Sequence, residues 1–281
     1  MSEDNSYLAE LFGHKTRITK APFAYPGSKA SSLDKLLDIL PYANTFVEPF
    51  CGCAIVTLAR DQSPLEVIND RYSGVTDFYR CIQDQKLLTR LIEKIELSIH
   101  SRDFWSYASQ QWSSQSSLVD RAFLWYYCVR YSFGSIGRNF GRCTSGKTMS
   151  GKLLNNIPDF TALHNRLKNV CVENRDYETI VEDYDHPDAV FYFDPPYLST
   201  TGGQPYKSNF TLEDHRRLIE IIMDMQGYAA LSGYANNLYD EYEWDEIYTW
   251  TVNDRITPLN ESKPQNKRGK VNEYLYVKEA K

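Results

Sequence analysis

The sequence predicts an α/β protein built on a mostly parallel seven-stranded sheet, and three observations carry that prediction. Seven short clusters of β-branched and aromatic residues stand between turn residues. Helical patterns alternate with several of them, the arrangement that covers a parallel sheet on both faces. The 281 residues, 42% hydrophobic and 14% aromatic, suffice for a sizeable core in one large domain or two.

The strands are expected at 44–48, 65–69, 170–174, 189–194, 228–232, 246–252 and 272–277. The clearest helix runs from Thr211 to Met225: Thr211 is its N-cap, Asp214 the acid of a shortened capping box, and Leu218, Ile221, Ile222 and Met225 form one apolar face. A second helix is expected over 31–39. From 77 to 164 the chain shows helical patterns and a loop but no strand, which is too long for a simple βα connection. The expected organisation is therefore an N-terminal tail over 1–20, a sheet domain over 21–76 and 165–281, and an inserted, mainly helical domain over 77–164.

Composition removes several classes. Collagen-like, fully disordered and disulfide-stapled chains are excluded. No run of about 18 apolar residues suggests a membrane span, and residues 1–20 lack the apolar stretch of a secretory signal, so a cytoplasmic protein is expected. The six cysteines form no CxxC pair and have no histidine at metal-ligand spacing, so neither zinc nor a disulfide framework is expected, and no metal site is assigned. Cys51 and Cys53 read as small residues filling a tight loop.

The net charge is −6, yet residues 130–168 carry seven bases against one acid. The tail from Arg255 to Lys281 also leans positive. Such local charge suits a polyanion or simply a solvated loop.

The most informative stretch is Val190-Phe191-Tyr192-Phe193-Asp194-Pro195-Pro196-Tyr197. An Asp-Pro-Pro-Tyr run arises by chance about once per thousand chains of this length. A hydrophobic strand ends in an acid, and two prolines then fix φ and remove two N–H donors, leaving a stiff turn with available carbonyls. Asp194 and the Pro195 carbonyl are thus suited to accept both hydrogens of one amino group, and Tyr197 offers a face for a planar base. The end of a strand is also where open α/β sheets bind ligands. Gly52, in the turn Glu48-Pro49-Phe50-Cys51-Gly52, permits close backbone approach to a ligand. Asp70 lies 22 residues after Glu48, where nucleotide-binding sheets place an acid on ribose hydroxyls.

With Tyr25-Pro26-Gly27-Ser28-Lys29 and Phe46-Val47-Glu48-Pro49-Phe50-Cys51-Gly52, the Asp-Pro-Pro-Tyr turn resembles the DNA adenine methyltransferase family over roughly residues 21 to 278. The likeness is strongest to phage-type members, through Arg121-Ala122 to Ser132-Phe133-Gly134, Glu173-Asn174-Arg175-Asp176 and Leu231-Ser232-Gly233-Tyr234. It implies a Rossmann-like, S-adenosylmethionine-dependent methyltransferase with an inserted DNA-recognition domain, acting on the N6 amino group of adenine in duplex DNA after the base is flipped out. It makes Asp194, Pro195, Pro196 and Tyr197 catalytic. It also assigns Tyr25 and Lys29 to the cofactor's methionine end, Glu48, Pro49, Phe50 and Gly52 to the cofactor turn, Asp70 to its ribose and Asp176 to its adenine, with a helix N-cap as the rival role for Asp176.

Two positions depart from the family: Ser28 stands where a glycine is common before Lys29, and Ala54 where a second glycine often follows Gly52. Arg130, Arg138, Asn139, Arg142 and Lys147 are the expected DNA-binding residues, because phosphates need bases while Arg and Asn also read base edges. Residues 198–209 are expected to form a flap, with Tyr206 closing over the base or in an ordinary surface loop. The resemblance admits a cognate restriction endonuclease as a further partner. Alternatives are an amino-methyltransferase on cytosine, RNA or a protein glutamine, and an inactive DNA- or cofactor-binding relative.

Overall fold

The structure, a computed structural model, describes residues 17–132, 137–141, 158–198, 210–253 and 269–281. The strands are β1 (Thr45–Glu48), β2 (Leu65–Asn69), β3 (Val170–Glu173), β4 (Ala189–Phe193), β5 (Tyr228–Gly233), β6 (Glu246–Asn253) and β7 (Lys270–Lys278), in sheet order β3-β2-β1-β4-β5-β7-β6. β1 pairs in parallel with β2 and β4, and β4 with β5, whereas β7 is antiparallel to both β5 and β6. The sheet is thus mostly parallel, as expected, with its antiparallel part at one edge. The helices are α1 (Leu33–Ile39), α2 (Ile55–Ala59), α3 (Ser73–Gln83), α4 (Gln85–Glu96), α5 (Arg102–Gln111), α6 (Leu118–Arg130), α7 (Phe160–Leu167), α8 (Tyr177–Tyr184) and α9 (Leu212–Asp224). Among the described residues, no helix is long and apolar enough to cross a membrane.

The chain divides into two compact units: Met1–Ala30, Gly52–Gln62 and Tyr72–Asn174 form one, and Ser31–Cys51, Ser63–Arg71 and Arg175–Lys281 the other.

The second unit holds the central strands. Every residue of β1, β4 and β5 is buried, as in strands covered on both faces. Tyr192 of β4 and Ser232 of β5 satisfy each other's buried hydroxyls at 2.8 Å. α9 starts with the expected capping box: Thr211 Oγ1 accepts the Asp214 N–H at 3.2 Å, and Asp214 Oδ2 accepts the Thr211 N–H at 2.6 Å. The Thr211 N–H and hydroxyl, both donating to Asp214 Oδ2, hold the Asp214 carboxyl below its usual range. The buried face of α9 is His215, Leu218, Ile219 and Ile222, so Ile219 takes the place expected for Ile221.

The first unit is built on aromatic packing between α3 and α6. Phe78 stacks on Tyr126 at 5.1 Å, and Phe23 meets the fully buried Trp125 edge-on at 5.0 Å. Gly74 is required beneath Trp125, since a Cβ there would lie 2.2 Å from Trp125 Cδ1. Asp77 is buried and accepts the Arg121 Nε–H at 2.6 Å. Gln83 ends α3 by donating to the carbonyls of Leu167 and Val170 at 2.9 and 2.6 Å, tying α7 and β3 to it.

Candidate active site

In the second unit the strand order reverses where β1 and β4 lie side by side, with β2 leading away on one side and β5 on the other. A crevice opens beyond the carboxyl ends of strands at such a switch point, and there open α/β sheets hold ligands. Glu48 closes β1 as a buried acid, followed by Pro49 and Phe50, and Asp194 follows β4 directly. Asp70, half-buried, follows β2. The expected cofactor and catalytic residues of this unit therefore gather at one end of the sheet.

Asn69, the last residue of β2, holds these loop starts together. Its Nδ2 donates to the carbonyls of Pro49 at 2.9 Å and Arg175 at 3.1 Å, its Oδ1 accepts the Arg175 N–H at 2.9 Å, and its own carbonyl accepts the Cys51 N–H at 2.8 Å. A side-chain amide with one acceptor and two donors meets three loop groups that no strand ladder satisfies. Asp176, just beyond Arg175, is the N-cap of α8, its Oδ1 accepting the Glu178 N–H at 3.2 Å, while Oδ2 lies 3.4 Å from the Arg71 guanidinium. Beside it, Phe50 packs on Tyr177 at 5.3 Å and meets Phe210 edge-on at 5.6 Å. An aromatic cluster next to a half-exposed carboxylate fits an adenine ring and its amino group.

The Asp194-to-Tyr197 turn is anchored at two atoms. His215, fully buried, lies with Nε2 3.0 Å from the Pro196 carbonyl and Nδ1 2.9 Å from the Tyr239 hydroxyl. A carbonyl only accepts, so Nε2 carries the hydrogen and Nδ1 accepts from Tyr239. Burial brings this imidazole down to about 4, against the Pro196 bond and the Asp214 charge, which both favour the proton. The ring is therefore neutral near pH 7. The second anchor is the Tyr197 hydroxyl, which donates to Glu273 Oε1 at 2.9 Å. Burial first, then the charges of Asp194 and Glu273, push this phenol well above its ordinary range, so it stays a donor.

In the first unit, Gly52 adopts φ +47, and a Cβ on it would lie 2.8 Å from Tyr25 Cδ1. Only glycine lets the Tyr25 ring lie against that backbone. Lys29 is buried and donates to the Gly27 carbonyl at 2.8 Å, and the Cys53 thiol donates to Ser28 Oγ at 3.3 Å. Ala54 adopts φ 48 at the N-cap of α2, a left-handed conformation in which a side chain is strained. That explains why a glycine suits this position.

Of the expected DNA-binding residues, Arg130 ends α6 with its guanidinium 5.7 Å from the Tyr126 ring. Arg138 and Asn139 are exposed on the stretch that an antiparallel bridge between Ser132 and Phe140 brings back towards α6. His100 fixes the base of that stretch: its ring stacks between Tyr131 at 4.9 Å and Phe140 at 4.5 Å, and its Nε2 donates to the Gly141 carbonyl at 3.2 Å. Arg142, Lys147 and all but Leu198 of the expected flap over 198–209, Tyr206 included, lie outside the described residues. Among the described residues, no group of three or more His, Cys, Asp or Glu side chains is arranged to hold a metal ion.

Asn69, His215 and Glu273 are absent from the residues that sequence reasoning selects. A faint signal existed for two of them: Asn69 ends a strand directly before Asp70, and His215 interrupts the apolar stripe of α9.

The sheet, in the order β3-β2-β1-β4-β5-β7-β6, carries an acid after β2 and an Asp-Pro-Pro-Tyr turn after β4. The chain belongs to the D12 class N6 adenine-specific DNA methyltransferase family, whose description matches residues 25–259. The modification methylase StsI of Streptococcus sanguinis is 28% identical over 198 residues, covering 66% of this chain and 30% of that methylase, so the chain spans under a third of that relative's length. The type II methyltransferase M.CviBI of Paramecium bursaria Chlorella virus NC1A is 25% identical over 246 residues, or 81% of this chain and 90% of that one. Among solved structures, a SAM-dependent O-methyltransferase from Thermotoga maritima is similar with a TM-score of 0.39 and 11% identity, over 94% of this chain and 69% of that one.

Proposed function

We propose that the protein methylates the N6 amino group of adenine in duplex DNA, with S-adenosylmethionine as donor. The observation that carries this reading is the Asp-Pro-Pro-Tyr turn, held at two atoms beyond the carboxyl end of β4 in a chain of an adenine-specific family. When bound, S-adenosylmethionine supplies an electrophilic sulfonium methyl. Within the second unit, Asp70 is suited to its ribose hydroxyls and Asp176, with the Phe50, Tyr177 and Phe210 rings, to its adenine.

An adenine amino group is a poor nucleophile because its lone pair is delocalised into the ring, and inside a duplex it is out of reach. The flipped base stacks on Tyr197, and its two amino hydrogens point to the Asp194 carboxylate and the Pro195 carbonyl. Those acceptors favour a pyramidal nitrogen and offset the positive charge that develops on it. The two prolines keep the acceptors in place without reorganisation at the moment of transfer. Arg130, Arg138 and Asn139, with Arg142 and Lys147, hold the DNA. The names of the two relatives, a modification methylase and a type II methyltransferase, support a DNA-modification role, for which a cognate restriction endonuclease is the further partner we propose.

The test is mass spectrometry of nucleosides from unmodified plasmid DNA incubated with the protein and S-adenosylmethionine. N6-methyladenine is expected, with a fall of about 10²–10³-fold or more in D194A. Formation of 4-methylcytosine, or no product while the donor binds, overturns the reading.

A further inference from the structure

We infer that Glu273 is a positioning residue for this transfer, holding the Tyr197 phenol so that its ring presents one fixed face to the target base. The inference rests on the proposed function.

Glu273 lies on β7 opposite Trp250 of β6 and is buried. Its two oxygens have separate duties. Oε1 accepts the Tyr197 hydroxyl at 2.9 Å. Oε2 accepts the Ser32 hydroxyl at 2.8 Å and the Trp250 indole N–H at 2.9 Å, and that N–H also lies 2.9 Å from Ser32 Oγ. Side chains from three other segments of the chain thus converge on one carboxylate.

Burying an acid is costly unless its oxygens are satisfied, and two structural donors already occupy Oε2. They fix the carboxylate plane, and Oε1 is thereby aimed at Tyr197. A phenylalanine at 197 would offer the same stacking area, so the hydroxyl serves orientation. It lies on the ring axis, and its hydrogen bond therefore sets where that axis points. Rotation about the axis is set by the Tyr234 ring, edge-on at 4.8 Å and 76°.

E273Q separates this role from a merely structural one. An amide must turn its oxygen towards Ser32 and Trp250, which leaves its NH2 facing Tyr197, so the charge-assisted acceptor of the phenol proton is lost and only a weaker, reversed N–H···O bond can take its place. Single-turnover methylation of unmodified plasmid DNA is expected to slow on the order of 10–100-fold in E273Q, as a displaced positioning group does. Y197F removes the same hydrogen bond from the other side and should slow to a similar degree. The double variant should be no slower than the slower single one. Calorimetric affinity for S-adenosylmethionine alone should remain at the wild-type value in all three.

A wild-type rate in E273Q, or losses that multiply in the double variant, overturns the inference while leaving the function intact. Weakened donor binding in E273Q also overturns it, because the acid then supports the fold at large. Should E273Q not fold, Y197F decides alone, and its wild-type rate would refute the role. Absence of N6-methyladenine with the unaltered protein is a different result, and refutes the function itself.

Discussion

His215 makes the stability of the protein depend on pH in a way that can be worked out in advance. Its imidazole ordinarily titrates near 6.5 and here does so at about 4, chiefly because it is buried. The groups facing it are the Pro196 carbonyl, the Tyr239 hydroxyl, the Phe210 ring edge-on at 4.8 Å and the Asp214 carboxylate beside it in α9. The folded ring stays neutral while the unfolded one takes up a proton below 6.5, so between the two values the unfolded state holds more protons and stability rises with pH. The contribution is complete above 6.5 and is lost as pH falls from 6.5 to 4. At about 1.4 kcal/mol per unit, the loss is about 3 kcal/mol. Urea unfolding at pH 7, 6, 5 and 4 measures it, with H215Q as the reference, since glutamine supplies a donor towards Pro196 and does not titrate in this range. Other titrating groups are common to both proteins and cancel in the difference. The unaltered protein should lose about 3 kcal/mol more than H215Q between pH 7 and 4. Parallel pH profiles would refute the reasoning.

Four further perturbations test separate parts of the structure. G74A drives a Cβ to 2.2 Å from Trp125 Cδ1 and should cost roughly 1–3 kcal/mol in urea unfolding, so an unchanged midpoint would contradict the α3–α6 packing. A54G relieves a left-handed alanine worth roughly 1–2 kcal/mol but adds roughly 0.4–1 kcal/mol of unfolded-chain freedom, so the thermal midpoint should hold or rise and a clear fall would refute the strain. N69D sets a carboxylate against the Pro49 and Arg175 carbonyls and should weaken calorimetric binding of S-adenosylmethionine at least about tenfold, with wild-type affinity as the contrary result. R138A should reduce discrimination between methylated and unmethylated sequence contexts in plasmid DNA if Arg138 reads a base, whereas uniform slowing at every site would assign it to phosphate.

The parts of the fold that were legible are those written in local pattern. All seven strands fall where β-branched and aromatic clusters predict them, and the α9 capping box follows from Thr211 and Asp214 three residues apart. Errors lie where a neighbour decides. β7 begins at Lys270 rather than 272 because Lys270 and Val271 pair with Asn253 and Val252 of β6, a register that polar residues at an edge do not announce. Ile219 replaces Ile221 on the buried face of α9 because the helix turns a face centred on His215 and Leu218 inward. Asp176 shows the two kinds of information in one side chain: its cap on α8 is local and readable, its ion pair with Arg71 is not.

The candidate site divides along the same line. Asp194-Pro195-Pro196-Tyr197 is visible because two prolines after an acid are rare and have a direct backbone consequence. What orients the turn is invisible to any window of sequence: His215 reaches Pro196 across 19 residues, and Glu273 reaches Tyr197 across 76. A histidine on an apolar stripe and a glutamate in a strand near the chain end look like ordinary core and edge residues until the fold supplies their partners. Both hold atoms of a turn whose own backbone cannot complete the task, because each proline that stiffens it also removes an N–H by which it could be tied down. The stiff motif therefore needs anchors from outside, at a carbonyl and at a hydroxyl, and the structure supplies one at each.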